Sequence, residues 1–140
     1  MDLQLQGRTA LVTGASQGLG RAIALGMAAE GIKVAAVARR LDLLEGLRVE
    51  ILKAGGADPV LIQADLYPEG AAERIAERAV KELGRVDILV NAAGGSRPLP
   101  VNAPKEQWAE GLTLNFSACA NCQKRWSAAC RPTGLAVSSI

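Results

Sequence analysis

The sequence predicts a doubly wound α/β fold, a parallel sheet with helices on both faces, on three observations. Short apolar runs alternate with amphipathic stretches of helical spacing through the first 116 residues. The apolar runs are continuous, with no polar residue at every second position, which marks parallel strands covered on both sides. The first run leads directly into a glycine-rich turn that opens a helix. A length of 140 residues suits one domain, and 49% hydrophobic residues suffice for a core.

The elements follow in order along the chain. Thr9–Val12 is the first strand. Leu19, Ile23 and Met27 then recur at helical spacing, and Gly31 supplies the stop. Lys33–Ala38 is the second strand. Leu41, Leu44, Leu47 and Ile51 line one face of a second helix, which ends at Gly55-Gly56. Pro59–Ala64 reads as the third strand. Over Glu69–Leu83 an apolar stripe of Ala72, Ile75, Ala76, Ala79, Val80 and Leu83 defines the third helix, ended by Gly84. Val86–Val90 is a fourth apolar run, too short for a helix. A Gly/Pro-rich loop covers Asn91–Pro104, and a further helix begins near Lys105.

Composition excludes several classes. A net charge of +2, with no basic run longer than Arg39-Arg40 or Lys124-Arg125, gives no case for nucleic acid or an anionic membrane. No window approaches the roughly 20 apolar residues of a membrane span. The start lacks a basic segment followed by an apolar stretch, so a cytoplasmic setting is expected. Three cysteines and no histidine argue against a disulfide framework, a His-based triad and most zinc sites.

The turn after the first strand reads Thr13-Gly14-Ala15-Ser16-Gln17-Gly18-Leu19-Gly20. A strand, a glycine turn and a helix in succession bring free backbone N–H groups and the positive helix end to one point, suited to a pyrophosphate. Gly14 permits the tight turn, Gly18 lets the backbone approach a ligand, and Gly20 lets the helix pack close. Ser16 adds a hydroxyl donor. The competing reading is a turn that only packs helix on strand.

The spacing of this turn is T-G-x-x-x-G-x-G. With Asp65, the segment Asn91-Ala92-Ala93-Gly94 and Asn115, it resembles the classical short-chain dehydrogenase/reductase family over nearly all of residues 7–116. Ala92 departs from the family's usual N-N-A-G. The resemblance implies a Rossmann-type doubly wound parallel sheet, of which residues 1–140 would hold about the first five strands as a single NAD(P)-binding domain. It implies a carbonyl or alcohol oxidoreductase, with a general look closest to 3-oxoacyl-carrier-protein reductases. A small-molecule carbonyl or alcohol would be the substrate, and a homo-oligomer stays open.

The second strand runs into Ala38-Arg39-Arg40, with none of the acid that binds a ribose 2′-hydroxyl in NAD enzymes. A guanidinium can instead hold a 2′-phosphate, so NADP(H) is expected over NAD(H), with Arg39 and Arg40 as its basic residues. The alternative is that the two arginines only begin a solvated helix. By resemblance, Asp65 accepts a hydrogen bond from the adenine amino group with Leu66 alongside. The stretch Asn91, Ala92, Ala93 and Gly94 lies along the ribose and nicotinamide side. A turn aspartate and a ligand-free turn are the competing readings. Gln17 and Leu19 complete the expected cofactor contacts of the glycine loop.

The family's chemistry uses an asparagine, a serine, and a tyrosine and lysine in Y-x-x-x-K. Asn115 fits the asparagine. Gly134–Ile140 resembles the family's fifth strand, and Ser139 is the candidate serine. The tyrosine and lysine are absent from these residues: the single tyrosine is Tyr67, and Ala71 follows it four positions on. The isolated chain is therefore expected to bind cofactor without turnover. A non-catalytic NADP(H)-binding or partner-binding module and an inactive truncated product are the alternatives.

Residues 116–140 read as an atypical tail. From Ser117 onward the chain has all three cysteines, no acidic residue and three basic ones, against 13 basic and 14 acidic residues before it. A shifted reading frame and an ordinary fragment are both open there. Cys119-Ala120-Asn121-Cys122 has C-x-x-C spacing, but without a second pair or a histidine no metal site is expected.

Overall fold

A computed structural model of the chain describes residues 4–95, 99–117, 120 and 137–139. Its sheet has five parallel strands in the order β3-β2-β1-β4-β5. The strands are β1 (Thr9–Thr13), β2 (Lys33–Ala38), β3 (Val60–Gln63), β4 (Ile88–Asn91) and β5 (Val137–Ser139). Helices α1 (Gly18–Ala29), α2 (Leu41–Lys53), α3 (Ala71–Leu83) and α4 (Lys105–Leu112) alternate with them. This is the predicted Rossmann-type architecture with the predicted five strands. The C-x-x-C pair of Cys119 and Cys122, and Cys130, lie outside the described residues.

Continuous apolar runs become strands buried on both faces: all five residues of β1 and five of the six in β2 are buried. Alternate residues of these strands supply two separate cores. Ala10, Val12, Val34, Ala36 and Val90 pack with Ala24, Leu44, Leu47 and Ile51 of α1 and α2. Leu11, Ala35, Val37, Ile62 and Leu89 pack with Ala72, Ile75 and Ala79 of α3. Each large aliphatic buried in this way contributes about 1.5–3 kcal/mol.

Boundaries differ from expectation for identifiable reasons. α3 starts at Ala71, two residues later than the periodicity suggested, because Gly70 takes a left-handed φ of 76° and the turn before it holds Pro68. β4 begins at Ile88, not Val86. Asp87 leaves the ladder pattern to act as a clamp. Its Oδ2 accepts the Thr9 backbone N–H at 3.0 Å and the Thr9 hydroxyl at 3.3 Å, while Arg85 Nε lies 3.2 Å from Oδ1. The Asp87 N–H also lies 3.0 Å from the Thr9 carbonyl. The amino ends of β1 and β4 are thereby locked at the side of the sheet away from the glycine turn.

β3 is the outer strand on one side. Arg78 of α3 reaches it, donating from Nη2 to the Leu61 carbonyl at 3.3 Å, and its Nε pairs with Glu82 at 3.0 Å. A basic side chain on an edge carbonyl hinders pairing with another chain. Among the described residues no helix is long and apolar enough to cross a membrane.

Truncating the clamp by Asp87→Ala leaves the buried Thr9 N–H without its acceptor, while the Thr9 hydroxyl keeps the Arg85 carbonyl at 2.7 Å. The expected loss is about 1–3 kcal/mol of folding stability, because an unsatisfied buried donor bears its desolvation cost. Urea unfolding of both proteins measures it, and an unchanged midpoint would show that the clamp contributes nothing.

Candidate functional site

The strand order reverses between β1 and β4, since β2 and β3 lie on one side of β1 and β4 and β5 on the other. The carboxyl ends of β1 and β4 therefore diverge into connections that leave in opposite directions, which opens a crevice there. The glycine turn and the Asn91–Gly95 segment both leave the sheet at this point. Thr13, the last residue of β1, ties them together. Its hydroxyl lies 3.4 Å from the Val90 carbonyl, to which it donates, and it accepts the Ala93 N–H at 3.4 Å.

The glycines in the turn have distinct jobs. Gly14 has a φ of 68°, and a Cβ there would stand 2.6 Å from the Ala92 carbonyl oxygen and the Ala93 nitrogen. It is the point of closest approach between the two loops. Gly20 is equally confined: a Cβ would collide with the Gly14 carbonyl oxygen and come within 3.2 Å of the Ala92 Cβ. So Gly20 packs α1 onto the turn itself more than onto the strand. Gly18 has a φ of 58° but open space around the position of a Cβ. Ala15 is fixed over β2 by its N–H, which donates to the Val37 carbonyl at 3.1 Å.

The start of α1 is prepared for an anion. Its N-cap Gln17 makes no side-chain cap, and its first turn carries no acidic residue. The first turns of α2, α3 and α4 carry Asp42, Glu73 and Glu106. Uncapped N–H groups without a nearby carboxylate leave the positive end of the helix available to a phosphate. Ser16 is half-buried beside this turn, and Leu19 is 57% exposed, an apolar side chain facing outward next to the glycines. A turn that excludes side chains at Gly14 and Gly20, is open at Gly18 and ends on an uncapped helix fits a dinucleotide pyrophosphate.

At the end of β2, Ala38 occupies the position of the acid, and Arg39 and Arg40 are both exposed. They differ in availability. Arg40 Nη2 pairs with Asp42 Oδ2 at 3.0 Å, and this guanidinium holds the Asp42 carboxyl below the usual carboxylate range. The Arg39 guanidinium has no carboxylate partner among the described residues; only its carbonyl is engaged, accepting from Gln63 Nε2 at 3.1 Å.

Asp65 is exposed after β3, and its Oδ1 accepts the Tyr67 N–H at 3.0 Å in a tight turn. Leu66 is half-buried against the α3 core. The Tyr67 hydroxyl donates to the Glu110 carbonyl of α4 at 3.2 Å. Asn91 ends β4 in register with Thr13 of β1 and Ser139 of β5. Its carboxamide is buried, and neither polar atom has a partner among the described residues.

Asn115 lies in a π-helical segment, Thr113–Ser117, that continues α4. Such segments arise where a side chain enters the i→i−4 ladder. Asn115 Nδ2 donates to the Gly111 carbonyl at 3.0 Å and to the Gly95 carbonyl at 2.8 Å, and Oδ1 accepts the Gly95 N–H at 3.0 Å. Gly94 leaves room for this, since a Cβ there would stand 2.7 Å from Asn115 Oδ1. Asn115 thus closes onto the loop after β4.

The crevice brings together Gly14, Ser16, Gln17, Gly18, Leu19 and Gly20 with Ala92 and Ala93, and Asn115 with Gly94 and Gly95. Ser139 stands in the strand next to Asn91 by backbone register. The Thr13 hydroxyl and the double grip on Gly95 were not singled out from sequence. A hydroxyl closing an otherwise apolar strand and a second glycine after Gly94 were their only traces.

The family model described as short chain dehydrogenase matches residues 8–134. A short chain dehydrogenase of Pseudocercospora fijiensis is 44% identical over 104 residues, covering 74% of this chain and 33% of that protein. A 3-oxoacyl-[acyl-carrier-protein] reductase of Staphylococcus epidermidis is 38% identical over 117 residues, covering 82% of this chain and 48% of its own length. Among solved structures, a 7α-hydroxysteroid dehydrogenase complexed with NADH and 7-oxo glycochenodeoxycholic acid superposes with a TM-score of 0.93 at 29% identity. That match covers 99% of this chain and 55% of the other. The chain spans about half the length of such relatives or less.

Gly14→Ala should lower stability by about 2–5 kcal/mol, the sum of a left-handed φ and a backbone overlap. Gly18→Ala, with the same sign of φ but open space, should cost only about 1–2 kcal/mol. Denaturant unfolding of the pair separates them, and equal losses would contradict the close approach of Gly14 to Ala92 and Ala93.

Proposed function

Because this chain belongs to the short-chain dehydrogenase family, we propose that it is the NADP(H)-binding part of an oxidoreductase that interconverts a small-molecule carbonyl and alcohol. The observation that carries the choice of cofactor is the end of β2, where Ala38 replaces an acid and the Arg39 guanidinium has no carboxylate partner among the described residues. A 2′-phosphate would take charge-assisted hydrogen bonds from Arg39, with Arg40 contributing less because Asp42 already engages it. NAD(H) is the lesser alternative.

In this reading the N–H groups at the start of α1, with Ser16 and Gln17, hold the pyrophosphate in the turn of Gly14, Gly18 and Gly20. Leu19 offers apolar surface to a ring of the cofactor, and Asp65 accepts from the adenine amino group with Leu66 beside it. Asn91, Ala92, Ala93 and Gly94 border the ribose and nicotinamide. The bound cofactor supplies or accepts the hydride. Asn115 fixes the loop through Gly95 and orders a water for proton relay, and Ser139 holds the substrate oxygen at the end of β5. The cytoplasm is the proposed setting, and homo-oligomers are in keeping with the family.

General acid–base chemistry in this family rests on a Tyr-x-x-x-Lys pair, which these 140 residues do not contain. That favours a second reading in which the chain by itself is an NADP(H)-binding module without turnover.

Two measurements test the cofactor and the turnover separately. Arg39→Ala should weaken NADPH binding roughly 10- to 150-fold, the equivalent of about 1.5–3 kcal/mol for hydrogen bonds to a charged group, and leave NADH binding nearly unchanged. Arg40→Ala should do less. Fluorescence titration reads both, and equal loss for the two cofactors would remove Arg39 from the 2′-phosphate. Incubated with NADPH and a 3-oxoacyl thioester, the 140-residue chain should bind cofactor yet oxidise none of it above background. Steady turnover would overturn the reading of the chain by itself as a module without turnover.

A further inference from the structure

The carbonyls of α4 just before the π-helical segment take side-chain donors from two different directions. Gly111 accepts Asn115 Nδ2 at 3.0 Å, and Glu110 accepts the Tyr67 hydroxyl at 3.2 Å. Tyr67 belongs to the loop after β3, where its own N–H is held by Asp65 Oδ1 at 3.0 Å. Asn115 in turn grips both the N–H and the carbonyl of Gly95. A continuous path of hydrogen bonds and short peptide steps therefore runs from Asp65 through Tyr67, Glu110, Gly111 and Asn115 to the loop after β4.

We propose that Tyr67 is a positioning residue that couples occupancy of the adenine end of the cofactor site to the Asn115 clamp. The proposal rests on the cofactor reading above, which puts adenine at Asp65. A side chain that donates to a helix carbonyl competes with the carbonyl's own backbone partner, so it biases the choice between i→i−4 and i→i−5 pairing in the next turn. In this proposal, exchange between the π register of 113–117 and an α register would be the bistable element that such coupling requires. Adenine on Asp65 restrains the Asp65–Tyr67 turn. That turn holds the Glu110 carbonyl, and the π register presents Asn115 to Gly95. The nicotinamide-side loop is then fixed before the rest of the cofactor settles. Tyr67 is the single tyrosine of the chain, and its phenol serves as a donor to backbone, with no part in proton transfer.

The test uses the 140-residue chain, labelled with 15N, and 2′,5′-ADP and 5′-AMP as probes, which carry the adenine end and cannot reach the nicotinamide side. In the wild type either bound probe should shift the Gly95 amide and the Asn115 side-chain NH2 resonances, and slow hydrogen exchange in α4. In Tyr67→Phe the probe should still bind, with a Kd within about fivefold of wild type, while the shifts at Gly95 and Asn115 vanish. Shifts that persist in Tyr67→Phe, as they would if the hydroxyl only added stability, overturn the proposal. So does a bound probe with no effect on Gly95, Asn115 or α4 in the wild type, a measurement that needs no variant to fold. Failure of both probes to bind the wild type overturns the cofactor reading itself, and this proposal with it.

Discussion

One residue at the reversal of strand order holds the two halves of the site at a fixed distance. Thr13 donates to the Val90 carbonyl and accepts the Ala93 N–H, so a single hydroxyl spans the carboxyl ends of β1 and β4. Beyond it, Gly14 runs so close to Ala92 and Ala93 that no side chain fits between them. The glycine turn and the loop after β4 therefore cannot move apart or together independently. At the opposite end of the same strands, Asp87 binds both the N–H and the hydroxyl of Thr9. With β1 and β4 pinned at both ends, the register between them is over-determined, and the crevice inherits that precision.

The electrostatics of the crevice follow from parallel topology. Every strand ends on the same side, so the starts of α1 and α2 and the loop after β3 converge there. Local sequence then decides which start is free. α1 has neither a capping side chain nor an acid in its first turn, whereas α2 carries Asp42, which occupies Arg40. The consequence is a helix start at α1 with no acid in its first turn, beside an Arg39 guanidinium that has no carboxylate partner among the described residues.

The parts of this arrangement that depend on local chemistry were legible in the sequence. Continuous apolar runs gave parallel strands, and Thr13–Gly20 gave the turn, because glycine spacing encodes backbone approach directly. The edge β5 fell where Gly134–Ile140 was expected. Less legible was anything set by contacts between distant segments. Asp87 reads as one more residue of an apolar run until Thr9 is seen opposite it. Asn115 carries no local mark of its grip on Gly95, 20 residues earlier.

The two walls of the crevice are built from different materials, and this bears on how each can behave. The glycine wall is backbone packed on backbone, with Gly14 and Gly20 confined by atoms that cannot rotate away. The Asn115 wall is held by side-chain hydrogen bonds at exposed positions, each worth about 0.5–1.5 kcal/mol net. A few such bonds amount to a small free-energy difference, which a ligand or a neighbouring loop can offset. The rigid wall fixes the glycine turn against the loop after β4. The softer wall is the one held only by the Asn115 hydrogen bonds to Gly95 and Gly111.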